Sequence, residues 1–187
     1  MLKIILIALA VIVVVFVAIV AVQPSDFRIT RSATIAAPPE AVFAQVNGLH
    51  NWEAWSPWAK LDPAAKNTYE GPAAGVGAAF TWAGNNKVGA GRMTVLESRP
   101  GELVKMKLEF FRPFTGTNEV NFILVPSGNG TRVTWAMDGK NNFFSKAFHL
   151  VMNMDKIVGG DFEKGLAAMK ANAERASTAT QAAATGN

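Results

Sequence analysis

The residues that could do chemistry are few and lie far apart in this sequence. The chain has no cysteine, and its two histidines, His50 and His149, occur in no HxH or HxxxH arrangement. Thiolate chemistry, disulfides and the common zinc sites are therefore excluded, and we predict neither a metal nor a cofactor. The sequence also lacks a GxSxG motif and a phosphate-binding glycine loop. Because it assembles no acid–base pair, it predicts no catalytic residue, and binding is favoured over catalysis.

Two charged residues stand out because they interrupt apolar patterns. Asp155 lies on or beside the apolar stripe of a predicted C-terminal helix, where a carboxylate must be paired, hydrogen-bonded or neutralised. It is either a polar anchor or general base in a pocket, or one half of a structural salt bridge, for instance to Arg92 or Lys156. We favour the salt bridge. Arg92 lies in a predicted strand, where it either meets an anionic group of a ligand or points to solvent.

Aromatic and methionine residues form two groups with regular spacing. Trp52, Trp55 and Trp58 recur every third residue, which fits a pocket wall, an aromatic lip at a membrane, or core packing of short helices; core packing is favoured. The second group alternates along predicted strands and comprises Met93, Met106, Phe110, Phe122, Trp135 and Met137. Methionine is adaptable and suits surfaces that accept varied apolar ligands, but such stripes also form ordinary cores. The spacing alone does not decide whether these residues line a ligand pocket or form an ordinary core.

The elements that position these residues are indicated by the spacing of apolar residues, which recur at every second position in the first part of the domain and with helical spacing in the last part. Strands are predicted at 27–35, 78–83, 88–98, 103–111, 117–125 and around 133–137. Two short helices, one starting at Pro38-Pro39 and one over 49–55, follow the first strand, and a loop over 56–77 precedes the others. From Asn142 a single helical stripe extends to Met169, with a bend at Gly159-Gly160.

The N-terminal segment is apolar on every side. Residues 4–22 include no charged or polar side chain, no glycine and no proline. Nineteen helical residues reach roughly 28 Å, close to the hydrocarbon thickness of a bilayer. A cleaved signal peptide is the alternative, but its apolar region is shorter and Ile19 and Ala21 make a poor cleavage site. We predict a membrane anchor over 1–24, a domain over 25–175 and a disordered tail over 176–187.

The net charge and its distribution limit the kinds of partner that the protein is expected to bind. The formal net charge is +4, and the basic residues are scattered rather than clustered. This balance allows weak attraction to anionic lipid head groups and does not indicate nucleic acid binding. The positive charge that flanks the span is nearly equal on its two sides, with Lys3 on one side and Arg28 and Arg31 on the other, so the positive-inside rule does not fix the orientation. An uncleaved N-terminal anchor then most simply gives a single-pass protein with its domain on the exported side.

Several segments carry a resemblance to a known family. The chain resembles the START-like, polyketide cyclase/dehydrase and lipid transport (SRPBCC) superfamily. The segments that carry it are Ile35–Phe43, Trp52–Trp58, Gly89–Met93, Gly130–Trp135 and Met154–Leu166. The resemblance implies an α+β helix-grip fold, in which a curved antiparallel sheet wraps a long C-terminal helix and leaves a ligand cavity between them. Members bind lipids, sterols, hormones or polyketides, and only some are enzymes.

Together, the span and the resemblance predict a membrane-tethered domain that binds an apolar or amphipathic, lipid-like molecule between sheet and C-terminal helix. One alternative is a polyketide cyclase-like enzyme in which Asp155 or Arg92 polarises a hydrophobic substrate. Another is a tethered protein-interaction module that docks through the 56–77 loop. The predicted pocket-lining residues are Trp52, Trp55, Trp58, Phe80, Trp82, Arg92, Met93, Met106, Phe110, Phe122, Trp135, Met137, Phe148, Met152, Asp155 and Phe162.

Overall fold

The structure, a computed structural model, describes residues 1–185 and begins with a long apolar helix. Helix α1 covers Leu2–Val22 and ends where Gln23 becomes extended before Pro24. Its 21 residues rise about 1.5 Å each, so the helix is roughly 31 Å long. Its mean hydropathy is 3.6, and nearly all of its surface is exposed. By length and composition α1 is able to cross a membrane, and a signal sequence at this position would share these properties.

A single curved sheet of seven antiparallel strands follows α1. Its spatial order is β1-β7-β6-β5-β4-β3-β2, so the first two strands in the chain form its opposite edges. The strands are β1 (Asp26–Ile35), β2 (Lys66–Glu70), β3 (Ala79–Ala83), β4 (Ala90–Arg99), β5 (Leu103–Arg112), β6 (Gly116–Ser127) and β7 (Gly130–Lys140). Alternation along β5 shows why the sheet has two different faces: Val104 and Met106 are buried, whereas Lys105 and Lys107 are not.

Helices cover one face of the sheet, which we call the inner face. Helix α2 (Pro39–Asn47) has proline at its first turn and buries Val42 and Val46. A 3₁₀ turn (Leu49–Asn51) and the short helix α3 (Trp52–Trp55) continue across the sheet. After β7 the chain forms α4 (Phe143–Val151) and then α5 (Met154–Thr185), which packs against β1, α2 and α3. The predicted α+β helix-grip fold is confirmed.

The break in the C-terminal helical region lies before the position that the sequence predicts. Met152 is extended, and the Asn153 side chain accepts a hydrogen bond from the Lys156 N–H at 2.9 Å, so Asn153 caps a new helix. Gly159-Gly160 stays helical within α5. The prediction of one continuous helix from residue 142 is therefore wrong, because Asn153 caps a second helix that begins at Met154.

Two other segments also differ from expectation. The 56–77 segment contains β2, which pairs Tyr69 with Phe80 of β3 and extends the sheet. Helix α5 continues to Thr185, through most of the 176–187 segment predicted to be disordered. This segment is rich in alanine, which has the highest helix propensity. Residues 186 and 187 of the predicted tail lie outside the described residues.

Candidate functional site

The space between the sheet and α5 is filled by aromatic rings. We call this group the aromatic core; it comprises Trp52, Trp55, Trp58, Phe122, Trp135 and Phe162. Trp135 and Phe162 stack with ring centroids 4.1 Å apart and planes 7° from parallel. Edge-on rings of α3 and the segment after it surround Trp135, including Trp55 at 5.5 Å and Trp58 at 5.9 Å. The predicted methionines Met93, Met106 and Met137 are buried in the same core.

Glycine allows α5 to approach the sheet closely at this point. A Cβ at Gly165 would lie 2.8 Å from the Trp135 ring and 3.2 Å from Pro57. The Nε1 atom of the same buried ring has no hydrogen-bond acceptor among the described residues. Trp52 and Trp55 instead donate to the Val46 and Gln45 carbonyls of α2 at 3.0 and 2.9 Å. These two tryptophans therefore fix α3 onto α2 as part of the core.

A second apolar group on the inner face is only half-buried. We call it the inner strip; it comprises Tyr69, Phe80, Trp82, Leu108 and Phe110. Strand register places these side chains in two adjacent rows of β2, β3 and β5, over the part of the sheet beyond the main contacts of α5. The four aromatic rings form a chain, with centroid separations of 5.1 Å for Tyr69 and Phe80, 5.8 Å for Phe80 and Trp82, and 6.0 Å for Trp82 and Phe110.

The inner strip has a polar end. The Tyr69 hydroxyl donates to Glu53 Oε1 at 2.8 Å, and the exposed His50 ring stacks on the Tyr69 ring at 3.6 Å. Burial, and then the hydrogen bond to Glu53, raises the pKa of Tyr69, so its phenol stays neutral and remains a donor. The strip thus joins an apolar surface at Trp82 and Phe110 to hydrogen-bonding groups at Tyr69, Glu53 and His50.

Asp155 takes part in a salt bridge, as favoured from the sequence, but its partner is Arg31 of β1. Arg31 Nη1 and Nη2 donate to the two Asp155 carboxylate oxygens at 3.1 and 3.0 Å, and Arg31 Nε donates to Glu163 at 2.7 Å. The hydrogen bonds from Arg31 hold the pKa of Asp155 below its usual value. Arg31 lies on the inner side of β1 and ties the beginning of α5 to the sheet edge.

Gly159 provides the space for this guanidinium, and the adjacent Gly160 supplies a control. A Cβ at Gly159 would lie 2.0 Å from Arg31 Nη2, whereas a Cβ at Gly160 would meet no atom within 4 Å. We expect Gly159→Ala to lower the free energy of unfolding by about 1–2 kcal/mol, because displacement of Arg31 outweighs the gain in helix propensity. Gly160→Ala should raise it by about 0.5–1 kcal/mol. Chemical denaturation of both variants measures the difference; equal effects would show that Arg31 relocates freely.

Three other predicted pocket residues lie away from the inner face. Arg92 points to the outer face, opposite to Met93, and binds Glu70 with two hydrogen bonds of 3.1 and 2.9 Å. Phe148 and Met152 are exposed on and just after α4, because the helix break separates them from α5. The structure therefore brings together twelve of the sixteen predicted residues on the inner face, and it leaves Arg92, Phe148, Met152 and Asp155 outside that group.

Two surface hollows lie elsewhere on the described chain. One, of about 530 Å³, lies on the outer face, where the ion pairs Arg28–Asp138 and Lys105–Glu119 neutralise each other at 3.5 and 3.4 Å. The other, of about 620 Å³, follows α5 beside Glu174. Neither is lined by a predicted pocket residue. Among the described residues, no group of three His, Cys, Asp or Glu side chains is arranged to hold a metal ion.

Sequence reasoning missed the residues that set the spacing between α5 and the sheet. Arg31 was visible as the charged member of an otherwise apolar alternation in β1, which is a signal for an ion pair at the edge of the covered face. Gly159 and Gly165 gave no such signal, because a glycine that admits a neighbouring side chain resembles one that bends a helix. Tyr69 was hidden in the segment predicted as a loop.

Comparison with known proteins supports the sequence resemblance. A family model described as polyketide cyclase / dehydrase and lipid transport matches residues 26–174, from the first residue of β1 into α5. The match covers most of the chain and confirms the predicted family. No curated protein sequence matches the chain significantly.

Solved structures share the fold at low sequence identity. A protein from Chromobacterium violaceum is 17% identical with a TM-score of 0.57, over 81% of this chain and 99% of that one. The Aha1 dimer from Colwellia psychrerythraea is 18% identical with a TM-score of 0.57, over 79% and 96%. The di-domain ARO/CYC StfQ from the steffimycin biosynthetic pathway is 12% identical with a TM-score of 0.58, over 81% and 51%. At these identities the similarity concerns the fold alone.

Proposed function

Because the chain belongs to the polyketide cyclase/dehydrase and lipid transport family, we propose that it is a membrane-tethered domain that binds an apolar or amphipathic, lipid-like small molecule on the inner face of its sheet. The observation that carries this proposal is the inner strip. Five large apolar side chains at one end of this face are only half-buried, and four of them form a continuous chain of ring contacts.

The chemistry of the strip favours an amphipathic ligand. Covering apolar surface contributes roughly 25 cal/mol per Å², so a ligand that shields the Trp82 and Phe110 rings gains affinity from burial. At the other end, Glu53 accepts from the Tyr69 hydroxyl and His50 stacks on the Tyr69 ring, so these three side chains offer partners for one polar group. A molecule with an apolar body and a single hydroxyl or carbonyl group fits this arrangement.

The tether places the domain where such molecules are concentrated. Helix α1 is long and apolar enough to remain as an anchor, and 23–25 alone separate it from β1. Lipid-like molecules partition into the bilayer, so a tethered binding face meets them at high local concentration. With an uncleaved N-terminal anchor, the domain lies on the exported side.

Binding deeper between sheet and α5 requires the aromatic core to open. The stacked Trp135 and Phe162 rings occupy that volume, and Gly165 brings α5 against them. The unpaired Trp135 Nε1 would donate a hydrogen bond to a ligand acceptor that entered there. We therefore place the first contact of the ligand at the inner strip.

Catalysis has less support than binding. Of the two residues considered for it, Asp155 is held by Arg31, and Arg92 is held by Glu70 on the outer face. Both charges are neutralised by ion pairs away from the inner strip, so neither is placed to polarise a molecule bound there.

A matched pair of phenylalanine substitutions tests the binding proposal. Phe110 lies on the inner strip, and the adjacent Phe111 is exposed on the opposite side of the chain. Full-length protein and both variants would be purified gently and examined by native mass spectrometry with lipid extraction. We expect a stoichiometric lipid or terpenoid with the wild type and with Phe111→Ala. For Phe110→Ala we expect a clearly lower occupancy and, on titration with the extracted lipid, a Kd at least tenfold higher, as expected for loss of about 1.4 kcal/mol of contact energy.

Lipid that adheres to α1 is common to all three proteins and cancels in this comparison. Circular dichroism confirms that each variant retains the fold. Equal occupancy in Phe110→Ala and Phe111→Ala would refute binding at the inner strip. A wild-type protein that carries no bound molecule and takes up none from added lipid would refute the binding function itself.

A further inference from the structure

Helix α4 turns its apolar side chains away from the protein. Phe144 and Val151 are each 81% exposed, and Phe148 is about half exposed. The half-buried side of the same helix carries Lys146 and His149. A surface helix in water has the opposite arrangement, with its apolar stripe inward. The exposed face of α4 is therefore suited to an apolar environment outside the domain.

Local contacts fix this orientation. The Asn142 side chain accepts a hydrogen bond from the Ser145 N–H at 2.9 Å and caps the helix. His149 lies edge-on to Phe27 of β1, with ring centroids 5.9 Å apart, and its Nδ1 lies 3.3 Å from Asn141 Nδ2. The inner side of α4 is thus attached to the sheet, which leaves the apolar side outward.

The same helix lies beside the end of the membrane span. Helix α4 contacts α1, and within α1 the buried residue is Val20, in the last turn. The link from Val22 to Asp26 spans at most about 14 Å when fully extended. Asp26 pairs with Lys140, and α4 begins shortly after Lys140. This end of the sheet therefore lies near the point where α1 leaves the bilayer.

A second exposed aromatic occurs at this end of the domain. Phe114, in the turn between β5 and β6, is 77% exposed. Strand register aligns the base of that turn, where Phe110 pairs with Gly116, with the end of β7, where Asn118 pairs with Gly139. The turn and α4 therefore project from the same end of the sheet. Arg112 and Lys140, both exposed, add positive charge there.

We propose that the outer side of α4 and the β5–β6 turn, here called the docking face, bind the surface of the bilayer that α1 spans. The proposal rests on the tether of the proposed function and adds an orientation to it. Phe144, Phe148, Val151 and Phe114 enter the boundary between head groups and acyl chains, as in interfacial amphipathic helices. Arg112 and Lys140 lie near lipid phosphates. Phe110, at the base of the turn, then brings the inner strip to the membrane surface.

Single spin labels test this orientation, because the chain has no native cysteine. Val151→Cys and Phe114→Cys report the docking face. Val125→Cys is the matched control: Val125 is 52% exposed on β6, toward the opposite end of the sheet. Val13→Cys reports α1. Full-length proteins would be reconstituted in vesicles of phosphatidylcholine with a minority of phosphatidylglycerol, and the accessibility of each label to oxygen and to a water-soluble nickel chelate would be measured.

We expect the labels at Val151 and Phe114 to favour oxygen over the nickel chelate by several-fold, and the label at Val125 to show the reverse. Nickel accessibility at Val151 equal to that at Val125, with a deep label at Val13, would overturn docking and leave the tether intact. An aqueous label at Val13 would overturn both. Spin–spin broadening at Val151 with low accessibility to both reagents would show that a second copy of the chain covers α4, which also overturns the proposal. These label accessibilities do not depend on whether a lipid occupies the inner strip, so a failure of docking is distinguishable from a failure of ligand binding.

Discussion

Phe162→Ala is expected to lower the free energy of unfolding by about 3–5 kcal/mol, the range for removing a buried phenylalanine ring. Phe162 is 2% exposed and stacks on Trp135, so its loss leaves a cavity beneath α5. For a domain of this size the thermal midpoint should fall on the order of 10 °C. Phe144→Ala, which removes the same ring from an exposed position on α4, should leave the midpoint nearly unchanged.

The same variant tests whether the space beneath α5 is able to hold a ligand. An apolar cavity left by a large-to-small substitution binds small apolar molecules, and binding to the folded state raises stability. We therefore expect benzene to raise the thermal midpoint of Phe162→Ala by several degrees more than that of the wild type or Phe144→Ala. Absence of this difference would show that α5 and the aromatic core collapse onto the gap, which would exclude the space as a latent pocket.

The fold was predictable because its strands and helices carry regular patterns. In β5 the alternation of Val104 and Met106 with lysines identifies a strand with one covered face. Proline at the start of α2 and the uninterrupted apolar run of α1 are equally local signals. Local pattern was also enough to place Trp135 and Phe122 on the inner face, although not to show that they close the space beneath α5.

The site was less predictable because its geometry depends on contacts between distant segments. Arg31 and Asp155 are 124 positions apart, and nothing near either residue identifies the other as its partner. The break at Met152 follows from one capping asparagine, Asn153, within a stripe that otherwise continues with helical spacing. That single cap moves Phe148 from a predicted pocket to an exposed helix, which changes its expected environment from ligand to solvent or membrane.

Gly91→Ala is the second substitution with a large expected effect, and it connects backbone packing to the inner strip. A Cβ at Gly91 would lie 2.4 Å from the Glu109 carbonyl oxygen and 2.4 Å from the Trp82 ring, so both backbone and ring must move. We expect a loss of about 3 kcal/mol in the free energy of unfolding, at the upper end for overpacking. Gly116 is the control, because it flanks Phe110 from the other side and a Cβ there meets nothing within 4 Å.

The two glycines also separate the roles of Trp82 and of the sheet in ligand binding. Displacing Trp82 from Gly91 removes the largest ring of the inner strip, so Gly91→Ala should lose the bound molecule in native mass spectrometry while Gly116→Ala retains it. If both variants were equally stable, the Trp82 ring would be free to relocate and would not be a fixed part of the site. If Gly91→Ala were destabilised but kept its ligand, the molecule would lie on the inner face away from Trp82. Either result would exclude Trp82 as a required contact. The binding surface would then be assigned to Phe80 and Tyr69, at the other end of the chain of rings.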